Sequence, residues 1–221
     1  MVAATCRQGL RERKKQRTRQ TIVGAATRLF VEQGYQQTTL VQIAEEAGVA
    51  PSTFFNYFPT KVDIVFCLFD SVIDSARRRI AERPDDEPAV QAIEAWLTEE
   101  LPSVEQPYAE AARRIPTIIG SAPELVAEER LRLALLEDVL AVGFARDLGE
   151  SADGMRPRVL AAMALRGMLE AWHAWFEKHA SDAEFQLSDA LEAKAEHVVR
   201  VLESGVAFID LLPGPPDAAL L

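Results

Sequence analysis

Polar side chains that can hydrogen-bond nucleobases are grouped in one short segment. Ser52, Thr53 and Asn56 follow Pro51 and flank an aromatic stretch that ends with Tyr57 and Phe58. Serine and threonine hydroxyls can bind bases or phosphates, and an asparagine amide can pair with adenine through two hydrogen bonds. The segment therefore has the chemistry needed to read a base sequence, provided that a helix presents it to the DNA major groove.

Neighbouring residues offer the complementary contacts that such a segment would need. Thr53, Phe55, Pro51 or Val41 can touch the methyl group of thymine. Phosphate contacts provide affinity rather than sequence choice, and a helix N-terminus adds oriented N–H groups. The candidates for phosphate contacts are Thr39, Tyr57, Lys61 and, in the basic arm before the first core helix, Arg13, Lys14 and Arg17. The arm is expected to be either a helical extension along the DNA backbone or a flexible tail in the minor groove.

Charge is distributed unevenly along the chain of 221 residues, whose formal net charge is −10. Residues 1–61 contain nine Lys or Arg and four Asp or Glu, a local charge of +5. The other 160 residues contain 15 basic and 30 acidic side chains, a charge of −15. This asymmetry predicts a basic, polyanion-binding segment joined to an acidic segment with another role.

One spacing in the acidic part is typical of metal chemistry. Glu170 and His173 form a Glu-x-x-His pair, and Glu177 lies two helical turns after Glu170. Carboxylate-bridged di-metal bundles need two such pairs, and the sequence has no second one. It also lacks a nucleophile elbow, a phosphate-binding glycine loop and a dinucleotide fingerprint. We therefore predict that the protein is not an enzyme and needs no metal or cofactor.

Helical periodicity continues through the whole chain, and glycine and proline residues interrupt it. The sequence has no convincing alternating strand pattern and no Asn-Gly or Asp-Gly hairpin turn. The predicted fold class is all-α, with about nine helices. They are expected at about 10–33, 40–47, 51–58, 60–82, 88–100, 104–119, 123–148, 157–180 and 187–209.

Three helices must position the polar segment. Thr39 and Gln42 have the spacing of a capping box at the start of the second helix, and Gly48 permits the tight turn that follows it. Pro51 suits the first position of the third helix. A link of about three residues between the second and third helices is the helix-turn-helix arrangement. The expected core of these helices is Ile22, Leu29, Phe30, Leu40, Ile43, Val49, Phe54 and Phe58.

The segment Leu29–Lys61 reads LFVEQGYQQTTLVQIAEEAGVAPSTFFNYFPTK. Its characteristic positions are Leu29-Phe30, Gly34-Tyr35, Thr38-Thr39, Ile43-Ala44, Ala47-Gly48-Val49, Thr53-Phe54-Phe55, Tyr57-Phe58 and Lys61. With these residues the segment resembles the DNA-binding domain of the TetR family of bacterial transcriptional regulators. It departs from the usual pattern at Ala50, which replaces a Ser-type cap, and at Phe55, which replaces tyrosine. The resemblance implies a transcriptional regulator, most often a repressor.

A second copy of the chain is expected because one short helix contacts too few base pairs for a genomic site. Two-fold dimers place two such helices about 34 Å apart on one face of DNA. In the resembled family the last two helices pack with those of a partner as a four-helix bundle, and here these are the helices at about 157–180 and 187–209. We therefore expect a homodimer on a palindromic operator, with close approach at the small residues Ala164, Gly167, Ala171 and Ala195. The alternative is that both helices fill their own domain core.

The middle helices have room for a small effector. An effector can change the distance between the two DNA-binding domains of the dimer only by binding one conformation of the dimer better than the other. The side chains that we expect to line its site favour an apolar or aromatic molecule, although each of them also suits plain core. They are Trp96, Tyr108, Ile115, Ile118, Phe144, Met168, Trp172 and Trp175.

These patterns divide the chain into a helix-turn-helix DNA-binding domain at 1–60, a helical effector-binding and dimerisation domain at 61–213, and a flexible tail at 214–221. The expected function is sequence-specific regulation of transcription, with repression relieved by a small molecule. One alternative is a helical ligand-binding or adaptor protein whose basic head binds acidic protein partners. A more remote alternative is a metal-carboxylate bundle enzyme.

The expected compartment is the reducing cytoplasm. Met1–Gly9 contain no apolar signal-peptide core, and no run approaches the roughly 18 consecutive apolar residues of a membrane span. Cys6 and Cys67 give neither a disulfide framework nor zinc-ligand spacing. No membrane partner is therefore expected.

Overall fold

The computed structural model describes residues 2–105, 108–179, 199, 200 and 202. Over these residues the secondary structure is helical without a β-strand, which confirms the all-α prediction. No helix in the described ranges is both long enough and apolar enough to cross a bilayer. The helices are α1 (Val2–Gln33), α2 (Leu40–Glu46), α3 (Pro51–Phe54), α4 (Lys61–Glu82), α5 (Ala89–Ala95), a π-helical turn (Trp96–Glu100), α6 (Leu101–Glu105), α7 (Ala109–Ala112), α8 (Ile115–Gly120), α9 (Pro123–Leu148) and α10 (Met155–His179).

The chain forms two compact units. Unit 1 comprises Met1–Phe69 and Pro107–Glu129, and unit 2 comprises Asp70–Gln106 and Arg130–Leu221. Their bounds differ from the predicted division near residue 60 because α7 and α8 pack against α1. The predicted tail at 214–221 lies outside the described residues.

The core of unit 1 is formed largely by the residues that periodicity selects. Burying each large apolar side chain contributes roughly 1.5–3 kcal/mol. Leu29, Leu40 and Val49 are only half-buried. The fully buried members of the predicted core are Ile22, Phe30, Ile43, Phe54 and Phe58.

Three predicted helix bounds are wrong. Helix α1 begins at Val2, so the basic arm is a helical extension of the first core helix. Helix α3 ends at Phe54, and residues 55–57 form a turn. The helix expected over 104–119 is interrupted, because proline removes an interior hydrogen bond and suits the start of a helix. Pro116 accordingly lies in the first turn of α8.

An ion pair between buried Arg83 and partly exposed Asp147 lies directly after the end of α4, within unit 2. The Arg83 side chain is 1% exposed; it pairs with Asp147 and donates to the carbonyl oxygen of Gly143 at 2.9 Å. The Asp147 carboxylate also accepts a hydrogen bond from the N–H of Ala89 at 2.7 Å. It thereby satisfies the first turn of α5, for which the N-cap residue Pro88 offers no side-chain bond.

Candidate nucleic-acid interface

Two neighbouring threonines fix the start of α2 in unit 1. Thr38 is buried, and its hydroxyl donates to the carbonyl oxygen of Gly34 at 2.8 Å. Thr39 accepts from the N–H of Gln42 at 3.3 Å, and the Gln42 side chain accepts from the N–H of Thr39 at 2.8 Å. The predicted capping box is therefore confirmed. Thr39 remains exposed at the helix N-terminus, where a phosphate can approach.

A tight turn joins α2 to α3. Gly48 has a φ of +64°, a conformation that side chains disfavour, so the predicted turn glycine is confirmed. Pro51 occupies the first turn of α3, while Ala50 at the N-cap makes no side-chain bond. Phe54 and Phe58 are buried and pack into the core of unit 1, as their i, i+4 spacing predicts.

The outer edge of α3 is accessible. Ser52, Thr53 and Asn56 are exposed, and their side chains make no hydrogen bond within the described part of the chain. Pro51 is also exposed, and Phe55 keeps 48% of its surface exposed with its ring edge-on to the buried ring before it. Pro51, Ser52 and Thr53 lie in the first turn of α3, and the N-terminal part of a helix is the part that reaches base edges in a major groove. Phe55 and Asn56 lie in the turn that follows α3.

Val41 and Tyr57 flank this edge. Val41 lies on α2 and is 52% exposed. Tyr57 is half-buried in the turn after α3. Both candidate contacts are therefore at least partly accessible in unit 1.

Lys61 is engaged within the protein. Its ammonium donates to the carbonyl oxygen of Tyr35 at 2.6 Å and lies 4.4 Å from the centre of the Tyr35 ring. Burial lowers the pKa of Lys61, and the nearby Glu124 carboxylate opposes that shift. The side chain thus joins the start of α4 to the turn after α1, and any phosphate must compete with these contacts.

The basic arm is accessible as a helix. Arg13, Lys14 and Arg17 are exposed on α1. None of the three forms an ion pair with another described residue. At 1.5 Å per residue, the 32 residues of α1 extend about 48 Å. The arm is therefore a stiff basic surface.

Arg19 makes a contact that the sequence patterns do not reveal. Its guanidinium lies 5.0 Å from the centre of the Phe58 ring. In the same unit, the phenol oxygen of Tyr108 accepts a hydrogen bond from the Gln16 amide at 3.2 Å, across 92 residues of sequence. Burial raises the pKa of Tyr108. No local spacing could have indicated this long-range group.

The candidate effector residues are divided between the two units. Six of them have buried side chains. In unit 2 the indole N–H of Trp96 donates to the Ser75 hydroxyl at 2.9 Å, which fixes the orientation of that ring. The side chains of Trp172 and Trp175 lie outside the described residues. Unit 1 contains Tyr108, Ile115 and Ile118, and unit 2 contains Trp96, Phe144 and Met168.

The predicted dimer helices are described only in part. Helix α10 corresponds to the expected helix at 157–180, whereas the expected helix at 187–209 lies outside the described residues except for 199, 200 and 202. Along α10, Ala164 and Gly167 are buried. The Glu170 carboxylate pairs with Arg166. Among the described residues, no three His, Cys, Asp or Glu side chains are grouped as metal ligands would be.

Known proteins share both the sequence and the fold of this chain. Residues 22–67 match the tetR family of bacterial regulatory proteins, and residues 87–203 match the MftR C-terminal domain. The HTH-type transcriptional regulator TcmR of Streptomyces glaucescens is 30% identical over 191 residues, which make up 84% of each chain. The chain belongs to the TetR family.

Solved structures agree with this TetR-family fold. The SmeT–triclosan complex has a TM-score of 0.57 at 20% identity, covering 92% of this chain and 94% of that one. FadR from Bacillus subtilis in complex with stearoyl-CoA has a TM-score of 0.53 at 22% identity, covering 84% and 97%. TetR-family proteins are DNA-binding transcriptional regulators. The family favours duplex DNA over an acidic protein as the partner of the basic segment.

Proposed function

We propose that this TetR-family protein is a cytoplasmic repressor that binds a palindromic operator as a homodimer and leaves it when a small apolar or aromatic effector binds. The observation that carries the proposal is the accessible outer edge formed by α3 and the turn that follows it. Ser52, Thr53 and Asn56 are exposed there without internal partners, while Phe54 and Phe58 hold the helix from the opposite side.

Base contacts are assigned to this edge because its groups differ in what they recognise. Asn56 suits adenine, whereas Ser52 and Thr53 bind bases or phosphates. Pro51, Phe55 and Val41 supply apolar surface. The phosphate contacts are assigned to Thr39, Tyr57, Lys61, Arg13, Lys14 and Arg17.

Dimerisation is assigned to the helices at about 157–180 and 187–209. Ala164 and Gly167 on α10 are already buried within one protomer, so they do not carry this assignment, which rests on the family resemblance. A two-fold dimer requires an operator with matching half-sites about one helical turn apart. Sedimentation of the purified chain at micromolar concentration tests this assignment, and a monomer would contradict it.

The effector is assigned to an apolar or aromatic class. The candidate side chains Trp96, Phe144 and Met168 are apolar and buried in unit 2, and Tyr108, Ile115 and Ile118 offer similar surface in unit 1. Two neighbours of the same fold were solved with triclosan and with stearoyl-CoA. A thermal-shift screen followed by measurement of DNA release tests the class.

Selection of bound sequences from random 30-base-pair duplexes tests whether the protein binds DNA with sequence specificity. Enriched sequences should contain inverted repeats. Asn56→Ala should weaken binding to the enriched sequence about 5- to 150-fold and relax the choice at one position of each half-site. Thr53→Ala should act similarly but more weakly.

Thr117→Ala is a matched control, because Thr117 is an exposed threonine on α8. It should leave both affinity and sequence choice unchanged. If selection enriches no sequence, or if Asn56→Ala and Thr53→Ala behave like Thr117→Ala, the proposed base contacts are wrong.

A further inference from the structure

Lys61 connects the two ends of the helix-turn-helix within unit 1. Its ammonium donates to the carbonyl oxygen of Tyr35 at 2.6 Å and to that of Gln36 at 3.4 Å. Both carbonyls belong to the turn that precedes α2, whereas Lys61 is the first residue of α4, which follows α3. One side chain therefore joins the entrance of the α2–α3 pair to its exit, across 26 residues of sequence.

Both ends of this connection are held by their own hydrogen bonds. At the start of α4, the N–H of Thr60 donates to the Asp63 carboxylate at 2.8 Å, and the N–H of Asp63 donates to the Thr60 hydroxyl at 3.2 Å. In the turn, the hydroxyl and the N–H of Thr38 donate to the carbonyl oxygen of Gly34, at 2.8 and 3.3 Å. The Lys61 ammonium therefore fixes where the whole turn lies relative to α4.

The ring of Tyr35 adds a second hold on the same ammonium. Lys61 Nζ lies 4.4 Å from the ring centre, a distance at which a cation is attracted to an aromatic face. The ring is buried, and its centre lies 5.1 Å from that of Phe30 near the end of α1. Hydrogen bonds from a charged donor are roughly twice as strong as neutral ones. The turn is thus held between the end of α1 and the start of α4.

The position of the turn decides where α2 begins. The N-cap residue Thr39 directly follows Thr38, and its capping box ties it to the first turn of α2. Helix α2 packs against α3, which carries part of the proposed base-contacting edge. If the turn is released from α4, the start of α2 loses its fixed place, and α3 can shift with it.

We propose that Lys61 is a positioning residue for the α2–α3 pair, acting through the turn that precedes α2. This inference rests on the proposed function and adds a second role to a residue assigned there to phosphate. Base contacts need fixed geometry, whereas binding to random DNA depends mainly on phosphate contacts and tolerates a displaced α3. The two roles therefore predict different effects: a phosphate contact changes all affinities alike, and a positioning contact changes their ratio.

The test measures a ratio of affinities: the sequence enriched by selection against a random duplex of equal length, at one salt concentration. Lys61→Met keeps a long side chain and removes the ammonium. It should lower the ratio about five-fold or more, because the turn loses the charged donor that holds it. If Lys61 only contacted phosphate, both affinities would fall by the same factor and the ratio would not change.

Lys14→Met is the matched control. Lys14 is an exposed lysine of the basic arm and is assigned to phosphate alone, so its loss should leave the ratio unchanged. Lys61→Gln, with Lys14→Gln as its control, removes the same charge without adding apolar surface. This second pair carries the test if melting curves show that Lys61→Met does not fold.

The outcomes separate this inference from the proposed function. A lowered ratio for a folded Lys61 variant, with an unchanged ratio for its Lys14 counterpart, supports the positioning role. An unchanged ratio for the Lys61 variants, or an equal fall in the Lys14 variants, overturns it while leaving sequence-specific binding intact. Unfolding of both Lys61 variants would leave Lys61 a purely structural role and overturn it as well. If no sequence is enriched at all, the proposed function fails and the positioning role fails with it.

Discussion

The helical basic arm should control how steeply DNA binding depends on salt. Arg13, Lys14 and Arg17 are exposed on α1 and are not paired with acidic groups in the described chain. Each phosphate that such a side chain neutralises contributes about 0.9 to the slope of log K against log salt concentration. Replacing all three by glutamine keeps the helix propensity and removes the charge.

The expected magnitude follows from counting contacts. Three contacts in each protomer give six in a dimer, so the variant's slope should be shallower by about 5. Between 50 and 200 mM salt, the wild type should therefore lose roughly a thousand-fold more affinity than the variant. Sequence choice should not change, because phosphate contacts carry no base information.

Fluorescence anisotropy with a labelled duplex, repeated across salt concentrations, measures these slopes. A matched control replaces Arg77, Arg78 and Arg130 of unit 2 by glutamine, which changes the net charge equally at exposed positions outside the proposed dimer helices. Its slope should equal that of the wild type. Superimposable slopes for the arm variant and the wild type would refute the reasoning, and so would an equal change in the control.

Three further predictions concern stability. Asp147→Ala should lower the free energy of unfolding by about 3–5 kcal/mol, because it leaves the Arg83 charge buried without its partner. Arg83→Met should lower it less, because Asp147 is 31% exposed and can be hydrated. Urea unfolding of both variants at fixed protein concentration measures the two losses, and a larger loss for Arg83→Met would contradict the prediction. A hydrogen bond from Arg79 lowers the pKa of Glu87, so this pair stabilises the fold above the ordinary glutamate pKa and ceases to do so as pH falls through the lowered value. The difference in melting temperature between wild type and Arg79→Gln should therefore shrink from pH 7 to about pH 3, and a constant difference would be inconsistent with it. Gly48→Ala should lower the free energy of unfolding in urea by about 1 kcal/mol. The loss comes from the backbone conformation alone, since φ is +64° and an added Cβ meets no atom within 4 Å. An unchanged free energy of unfolding would contradict this prediction.

The local architecture of the candidate interface could be predicted from the sequence. The capping box of Thr39 and Gln42, the turn at Gly48, the helix start at Pro51 and the inward Phe54 each depend on residues within a few positions of one another. Hydrogen bonds and steric limits over such short distances are nearly independent of the rest of the chain. For that reason the spacing of residue types was sufficient to predict these local structures.

Helix lengths were predicted less well, because tertiary packing can override the local start and stop signals of a helix. The arm joins α1 without a break, although nothing at residue 10 or before it signals a helix start. The segment over 104–119 breaks into shorter helices whose positions depend on contacts with α1. Periodicity alone cannot weigh such contacts.

The sequence by itself determined the family, the helix-turn-helix and the exposed edge of α3, because each rests on residue types at short, fixed spacings. Only the tertiary structure decided that Lys61 binds the carbonyl oxygen of Tyr35, that Arg19 lies over the ring of Phe58 and that Gln16 binds the phenol of Tyr108. These groups are separated by tens of residues. Their proximity follows from how whole helices pack, and that packing depends on side-chain volumes across the core of unit 1 rather than on any local pattern.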